Sequence, residues 1–428
     1  MAVLIFLGCL LGGIAIGLPI AWALLLCGAA LMFWLDMFDV QIMAQTLVNG
    51  ADSFSLLAIP FFVLAGEIMN AGGVTTRLLD FAREIVGRLK AGLAYCCVLI
   101  AAVLSAILGS PNGVASMLCG ILVPELRKDN YPEEFTGSLV AASSILGPII
   151  PPSTSFIMYC MMTGASIQAM FVGGILPGIL LVIVFCIVIS ILTRKMELKR
   201  ATDHFSLKRL VKAFFKALPA LLVPVVIIGG VIGGFFTATE AGAVSCFCAL
   251  IASAIYREMD WKKLPEIMLR SAVTGGGILL MISFGGVIAW SLTRAGIPAQ
   301  IIAAITSVTN SKYLIIALII VILMIAGCLL DTGTITMVML PVVFPLATAI
   351  GMDAVHFGLV FCILTIIGYI TPPVGVVLFV TSNASGIPFN KLCKMIWPFT
   401  IGAFVVITVL AYLPDVVLWI LRLCGCAG

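Results

Sequence analysis

Charge is scarce in this 428-residue chain: Lys and Arg number 23, Asp and Glu 19, and histidine occurs twice, so charged residues make up 10% of the sequence and hydrophobic ones 62%. Ordinary soluble domains carry about 25% charged and roughly 45–50% apolar residues, and a chain this poor in polar side chains cannot clothe a water-facing surface. A soluble globular fold is excluded. Also lacking are segments of alternating polarity, the mark of a membrane β-barrel; the apolar runs are continuous and of helical length, so the spans are helical. With two histidines, one of them (His204) in a basic stretch, the chain lacks the nucleophile–base pair or metal-ligand cluster of an intramembrane hydrolase. It has no basic–aromatic face for nucleic acid. No enzyme activity, organic cofactor or nucleic-acid partner is therefore expected. No basic segment precedes the first apolar run, which starts at Met1 and meets no charge until Asp36, so an uncleaved first span is expected there.

What is present is patterned. Cysteine occurs 14 times, and residues such as Cys96, Cys97, Cys119, Cys160 and Cys362 sit inside apolar runs, where they read as small packing residues rather than disulfide partners. The pair Cys424 and Cys426 has no accompanying ligand cluster and reads as a tail. Basic residues crowd positions 194–216: Arg194, Lys195, Lys199, Arg200, Lys208, Arg209, Lys212 and Lys216 against Glu197 and Asp203. By the positive-inside tendency this is a cytoplasmic linker dividing a first half, 1–193, from a second, 217–428. Arg77, Arg83, Arg88 and Lys90 share 74–90 with apolar residues at helical spacing, the pattern of an amphipathic arm lying in the interface.

Positions 92–127 hold two apolar stretches around Gly109-Ser110-Pro111-Asn112-Gly113, and the second is only about a dozen residues long where a span needs about 20. Both flanks are basic, so both ends lie on one side. A re-entrant helical hairpin satisfies length and charge together, and its irregular tip must be buried in protein or line a cavity.

The sequence also repeats itself. Gly147-Pro148-Ile149-Ile150-Pro151-Pro152 recurs 221 residues later as Gly368-Tyr369-Ile370-Thr371-Pro372-Pro373, and the same interval pairs Pro124 with Pro345, Gly137 with Gly358 and Ser110 with Asp331. The second hairpin falls at 314–349 with its tip at Leu330-Asp331-Thr332-Gly333, and its flanks carry Lys312 but no arginine. Loss of the basic flanks is the charge signature of entry from the opposite side. Each hairpin is followed by an apolar helix, 134–168 and 354–382, interrupted by Gly-x-x-x-Pro-Pro. Proline removes an amide donor and clashes with the preceding turn, so each is a discontinuous helix. Its freed carbonyls suit a cation, and the positive end of the following half-helix, near Ser153 or Val374, suits a carboxylate. The fold expected is an all-α polytopic membrane protein of two inverted repeats, each with a re-entrant hairpin and a discontinuous helix.

Charged residues within apolar segments are costly and draw attention to themselves. Asp331 reads equally as a cation sensor or as a helix cap, while Glu67 and Glu240, near span ends, read as interfacial or subunit contacts.

Ile59-Pro60-Phe61-Phe62-Val63-Leu64-Ala65-Gly66, the two Pro-Pro motifs through Ser153 and Gly375, Thr239-Glu240-Ala241-Gly242-Ala243 and Asp353-Ala354-Val355-His356-Phe357-Gly358 together resemble the large membrane subunit of the TRAP (tripartite ATP-independent periplasmic) transporters. The resemblance covers nearly the whole chain. It implies a multi-pass permease of the bacterial inner membrane, working as an elevator-type importer of an organic acid coupled to Na⁺. It implies two partners as well: a small four-helix membrane subunit and a periplasmic substrate-binding protein, beside membrane lipid. Carried over by position, one Na⁺ site would involve Ser105, Leu108, Gly147, Ile150 and Pro151, and the other Gly327, Gly368, Thr371 and Val374. Substrate would lie near Ser110, Asn112, Ser153, Thr154, Asp331 and Thr332. Where the family's first tip often reads Ser-Gly-Ser-Ala, this chain has Leu108-Gly109-Ser110-Pro111-Asn112, so Leu108 offers no side-chain ligand. A stand-alone Na⁺-coupled dicarboxylate carrier of similar design is the alternative.

Overall fold

The computed structural model describes residues 5, 8–10, 12, 13, 16–196, 198, 206–309 and 311–425. Met1, His204, Cys426 and the linker positions Glu197, Lys199, Arg200 and Asp203 lie outside the described residues. The first half runs α1 (Ile20–Trp34), α2 (Val40–Ala51), α3 (Ala58–Ala71), α4 (Val74–Val86), α5 (Gly92–Leu108), α6 (Pro111–Lys128), α7 (Glu133–Ser144), α8 (Thr154–Thr163) and α9 (Ile167–Thr193). The second runs α10 (Leu207–Ile232), α11 (Ala238–Tyr256), α12 (Leu264–Arg294), α13 (Ile297–Val308), α14 (Lys312–Leu329), α15 (Thr332–Ala349), α16 (Ala354–Gly368), α17 (Val376–Ser385), α18 (Phe389–Met395), α19 (Trp397–Tyr412) and α20 (Pro414–Leu423). Among the described residues, seven helices are long and apolar enough to cross a membrane, or eight if the bent pair α18 and α19 counts as one span.

A shift of 221 residues carries Pro111–Lys128 onto 332–349, the bounds of α15, and Gly92–Leu108 onto 313–329, one residue inside α14. The hairpins are thus built in the same register. The halves differ in where helices are broken: α2 and α3 are two helices joined through a short 3₁₀ turn at Phe54–Leu57 whereas the corresponding stretch of the second half is the single helix α12, and the single helix α9 corresponds to the bent pair α18 and α19. Helix α12 runs unbroken through Gly275-Gly276-Gly277 because packing holds it, a Cβ on Gly275 coming within 2.8 Å of Pro60. Packing overrides the glycines' low helix propensity.

Polar contacts at the two ends show how the halves are oriented. At one end the Arg127 guanidinium, closing α6, donates to the Ser385 carbonyl at 3.0 Å, and Lys391 donates to Glu133, which opens α7, at 3.0 Å. At the other, the Tyr159 hydroxyl of α8 donates to the Ala354 carbonyl at the start of α16 at 2.6 Å, and Tyr412 donates to the Tyr313 carbonyl at 3.1 Å. The start of α7 therefore neighbours the end of α17, and the start of α16 the end of α8. The two broken helices run antiparallel and the hairpins enter from opposite sides, which is the inverted arrangement. α3, α11 and α12, with α1 and α2, form a second layer, and α12 packs against the hairpin helix α15.

Two boundaries differ from the sequence reading. The basic stretch 194–216 does not stay a linker to its end: Ser206 caps a helix by accepting from the Arg209 amide at 3.4 Å, so Lys208, Arg209, Lys212 and Lys216 occupy the opening turns of α10. The first broken helix ends before 168, because Gly164 at φ +75° terminates α8 and Ser166 caps α9. A glycine in left-handed conformation followed by a serine cap is a stop and a start within three residues.

The basic end is tied by ion pairs: Arg83 of the arm to Glu125 of α6 at 2.7 Å, Lys128 to Glu125 at 2.8 Å, and Lys391 to Glu133 at 3.0 Å. Lys128 and then Arg83 hold the Glu125 carboxyl below its ordinary value of 4.5, and Lys391 does the same for Glu133. A carboxyl depressed on folding contributes stability above its unfolded value and loses it as pH falls through the folded one. Thermal melts of the purified protein should show a small loss of stability as pH drops below 4.5, and the Glu125→Gln, Glu133→Gln double variant should lack that component.

Candidate functional site

The first tip forms because Gly109 turns the chain at φ +56° and Pro111 occupies the first turn of α6, where its missing amide costs nothing. Ser110 between them is extended. The break in the first broken helix lies directly against this tip: a Cβ on Gly147 would stand 3.2 Å from the Ser110 carbonyl oxygen, and the Thr154 hydroxyl donates to the Gly109 carbonyl at 3.2 Å. Both Pro-Pro bonds, Pro151-Pro152 and Pro372-Pro373, are cis.

The second tip is held by a carboxylate cap together with hydroxyl bonds. Asp331 accepts from the Thr334 amide at 3.1 Å and from the Thr334 hydroxyl at 2.5 Å, so its carboxylate closes the start of α15, and the Thr332 amide donates to the Tyr369 hydroxyl. Of the two readings of Asp331, the capping one describes these contacts. Behind this tip the backbones of Gly327 and Gly368 touch: a Cβ on Gly368 would meet Gly327 Cα at 2.5 Å and its carbonyl oxygen at 2.7 Å. The Thr371 hydroxyl donates to the Ile367 carbonyl at 2.9 Å, and its own carbonyl accepts from Cys328 Sγ at 3.0 Å.

The two tips meet at one cavity of about 400 Å³, lined by Leu108 to Gly113, Thr154, Ser155 and Met158 from the first half and by Asp331, Thr332, Gly333 and Tyr369 from the second. Its far wall is α3 and α12, through Val63, Glu67, Thr274, Ile278 and Met281. Three helix N-termini, those of α6, α8 and α15, open onto it, each a partial positive charge. No Lys, Arg or His is among the lining residues described. Inside it, Asn112 Oδ1 and Thr332 Oγ1 are buried without a hydrogen-bond partner.

Of the substrate candidates, Ser110, Asn112, Thr154, Asp331 and Thr332 share this cavity. Ser153 does not line it; fully buried, it donates to the Pro148 carbonyl at 2.5 Å and caps α8 through the Phe156 amide at 3.3 Å. With its proton already given to Pro148, this hydroxyl has no donor left for an anionic ligand. The cation candidates flank the cavity on either side. Leu108 lies on its wall and Gly147 and Pro151 behind the first tip, while the Ile150 side chain points at Gly178 of α9 and leaves its backbone as the relevant group. Ser105 falls within α5, and its side chain lies outside what is described. Gly327, Gly368, Thr371 and Val374 gather behind the second tip, and Thr371 also borders an apolar recess on the lipid side with Val321, Ile325 and Trp397. The donors within reach are carbonyl and hydroxyl oxygens without a carboxylate, a set that suits a monovalent cation.

Glu67, Thr274, Met281 and Tyr369 are cavity residues that the sequence reading did not name as such. Glu67 is no peripheral contact: it stands on the cavity wall. Glu240 has a local partner, since its carboxylate accepts from the Thr237 amide at 2.8 Å and completes a capping box at the start of α11.

Two antiparallel broken helices with paired hairpin tips around one cavity are the architecture of a membrane transporter, in which irregular backbone is kept only where it lines a site. Comparison with known proteins gives the family. The family model described as the tripartite ATP-independent periplasmic transporter DctM component matches residues 7–416. The chain is 43% identical to the 2,3-diketo-L-gulonate TRAP transporter large permease protein YiaN of Escherichia coli K12, over 98% of both chains. It is 33% identical to the C4-dicarboxylate TRAP transporter large permease protein DctM of Pseudomonas aeruginosa, over 91% of this chain and 92% of that one. A crystal structure of the YdaH transporter of Alcanivorax borkumensis, with 13% sequence identity, superposes with a TM-score of 0.64 over 88% of this chain and 89% of that one, a likeness of fold. The chain belongs to the TRAP transporter large permease (DctM) family: it is a multi-pass inner-membrane permease subunit of a binding-protein-dependent transporter, and not an enzyme.

Proposed function

We propose that this permease imports an organic acid by an elevator movement coupled to Na⁺, working with a small four-helix membrane subunit and receiving its substrate from a periplasmic binding protein. The observation that carries the reading is the single cavity where both hairpin tips and three helix N-termini converge. Helix N-termini favour an anion without a buried cationic side chain. In this reading the hairpins and broken helices move as a unit past the layer of α3, α11 and α12. The sites behind the tips hold Na⁺ through Leu108, Gly147, Ile150 and Pro151 on one side and Gly327, Gly368, Thr371 and Val374 on the other. Coupling then has a simple physical origin: the cation fixes the tip backbones whose amide ends face the substrate. The names of the relatives, a 2,3-diketo-L-gulonate and a C4-dicarboxylate transporter, support an organic acid.

The test is uptake into proteoliposomes holding this chain and its small subunit, across a panel of organic acids, with and without binding protein and an inward Na⁺ gradient. Uptake that needs both supports the reading; Na⁺-driven uptake without binding protein points instead to a stand-alone carrier. Thr371→Val should raise the Na⁺ concentration for half-maximal uptake about tenfold, the loss of one oxygen ligand, whereas Thr371→Ser should restore it. An unchanged Na⁺ dependence in Thr371→Val would remove that hydroxyl from the site.

A further inference from the structure

The cavity's charges do not balance, and the imbalance bears on what it can select. Its two carboxylates differ in setting. Asp331 is spent on the Thr334 amide and hydroxyl, at the positive end of the helix it caps. Glu67 lies in the last turns of α3, four residues from its end, where the helix dipole is negative, and no cationic side chain among those described shares the cavity. The wall formed by α3 is therefore negative and the wall formed by the tips is positive. Two residues of the cavity lining each carry a buried polar atom without a hydrogen-bond partner, Asn112 Oδ1 and Thr332 Oγ1, the latter on a residue 5% exposed. Buried polar atoms without partners in a cavity await hydrogen-bonding groups of a ligand.

We infer that Glu67 is a specificity-determining residue that selects a hydroxylated monocarboxylate over a dicarboxylate; this rests on the reading of the cavity as an organic-acid site. The substrate's single carboxylate faces the helix N-termini at the tips. Its hydroxyls pair with Asn112, Thr332 and the Glu67 carboxylate, which accepts hydrogen bonds from donors at the far end of the molecule. A dicarboxylate of similar length brings its second charge against Glu67, and that like-charge contact is the repulsive element of selection. A cavity of about 400 Å³ accommodates a six-carbon acid.

The experiment measures binding of gluconate and of succinate to the purified complex with the small subunit, at saturating Na⁺, by titration calorimetry. Wild type should bind gluconate at least about tenfold more tightly than succinate, and Glu67→Gln should shrink that ratio about tenfold by improving succinate, with the Na⁺ dependence unchanged. Thr332→Val should weaken gluconate and spare succinate, and Thr332→Ser should restore gluconate; this second pair decides the matter should Glu67→Gln fail to fold. Succinate binding as tight as gluconate, a ratio unmoved in Glu67→Gln, or a change confined to Na⁺ dependence would each overturn the inference while leaving an organic-acid permease in place. If the complete system carries no acid of the panel, the functional reading itself fails, and this inference with it.

Discussion

Gly368→Ala should abolish uptake. The added methyl has nowhere to go, because the atoms it meets, Gly327 Cα at 2.5 Å and Gly327 O at 2.7 Å, are backbone rather than the ends of flexible side chains. Relief requires α14 to separate from the second broken helix, which also separates the carbonyls behind the tip. Overpacking of this kind costs about 3 kcal/mol, roughly a hundredfold in the population of the closed arrangement. Initial uptake rates measured beside thermal melts check it, and Gly276→Ala is the control, since a Cβ there meets nothing within 4 Å. Equal uptake by the two variants would mean that the Gly327–Gly368 contact is not maintained during transport.

A second glycine separates the cavity from the fold. A Cβ on Gly333 comes within 3.0 Å of the Met281 methyl and 3.3 Å of the Met158 methyl, both on the cavity wall and both able to swing aside, and within 3.0 Å of Asp331 Oδ2, which caps α15. Gly333→Phe should therefore lower the melting temperature by no more than the loss of that cap and yet reduce uptake to background, because the ring occupies the space between the tips and α12. Methionine's flexible chain makes the substitution tolerable to the structure. Retained uptake would show that substrate passes elsewhere. Together the two variants distinguish a transporter that cannot close from one that closes on a filled site.

The features that were legible in the sequence are those that local chemistry dictates. Gly-Ser-Pro-Asn-Gly and the two Pro-Pro motifs break helices wherever they fall, and their recurrence at one interval disclosed the two-fold design before any coordinates. The opposite entry of the hairpins was written in Arg127 and Lys128 on one side and their lack on the other. What stayed hidden depends on contacts between distant elements. Glu67 has no counterpart in the second half, where the same interval leads to Ile288, and only the packing of α3 beside the tips brings it to the cavity. Ser153 looked free because the sequence does not say that the Pro148 carbonyl lies 2.5 Å away. The basic start of α10 was read as a linker because charge density masked a serine cap and the helical spacing of Leu210, Phe214 and Ala217.

The hairpins are moored by different physics. The first is fastened at its base by two separate sets of ion pairs, Arg83 and Lys128 on Glu125 and Arg127 and Lys391 on Glu133. The base of the second is joined by hydroxyl-to-carbonyl bonds and by the rings of Tyr313 and Tyr412, 6.0 Å apart. Dissolved salt weakens exposed ion pairs of the first kind and barely touches the second. On the positive-inside reading of the sequence, the ion-paired mooring lies on the cytoplasmic side and the hydroxyl-bonded one on the opposite side. Raising the salt concentration should therefore loosen the base of the first hairpin while leaving the Tyr313–Tyr412 contact at the base of the second unchanged.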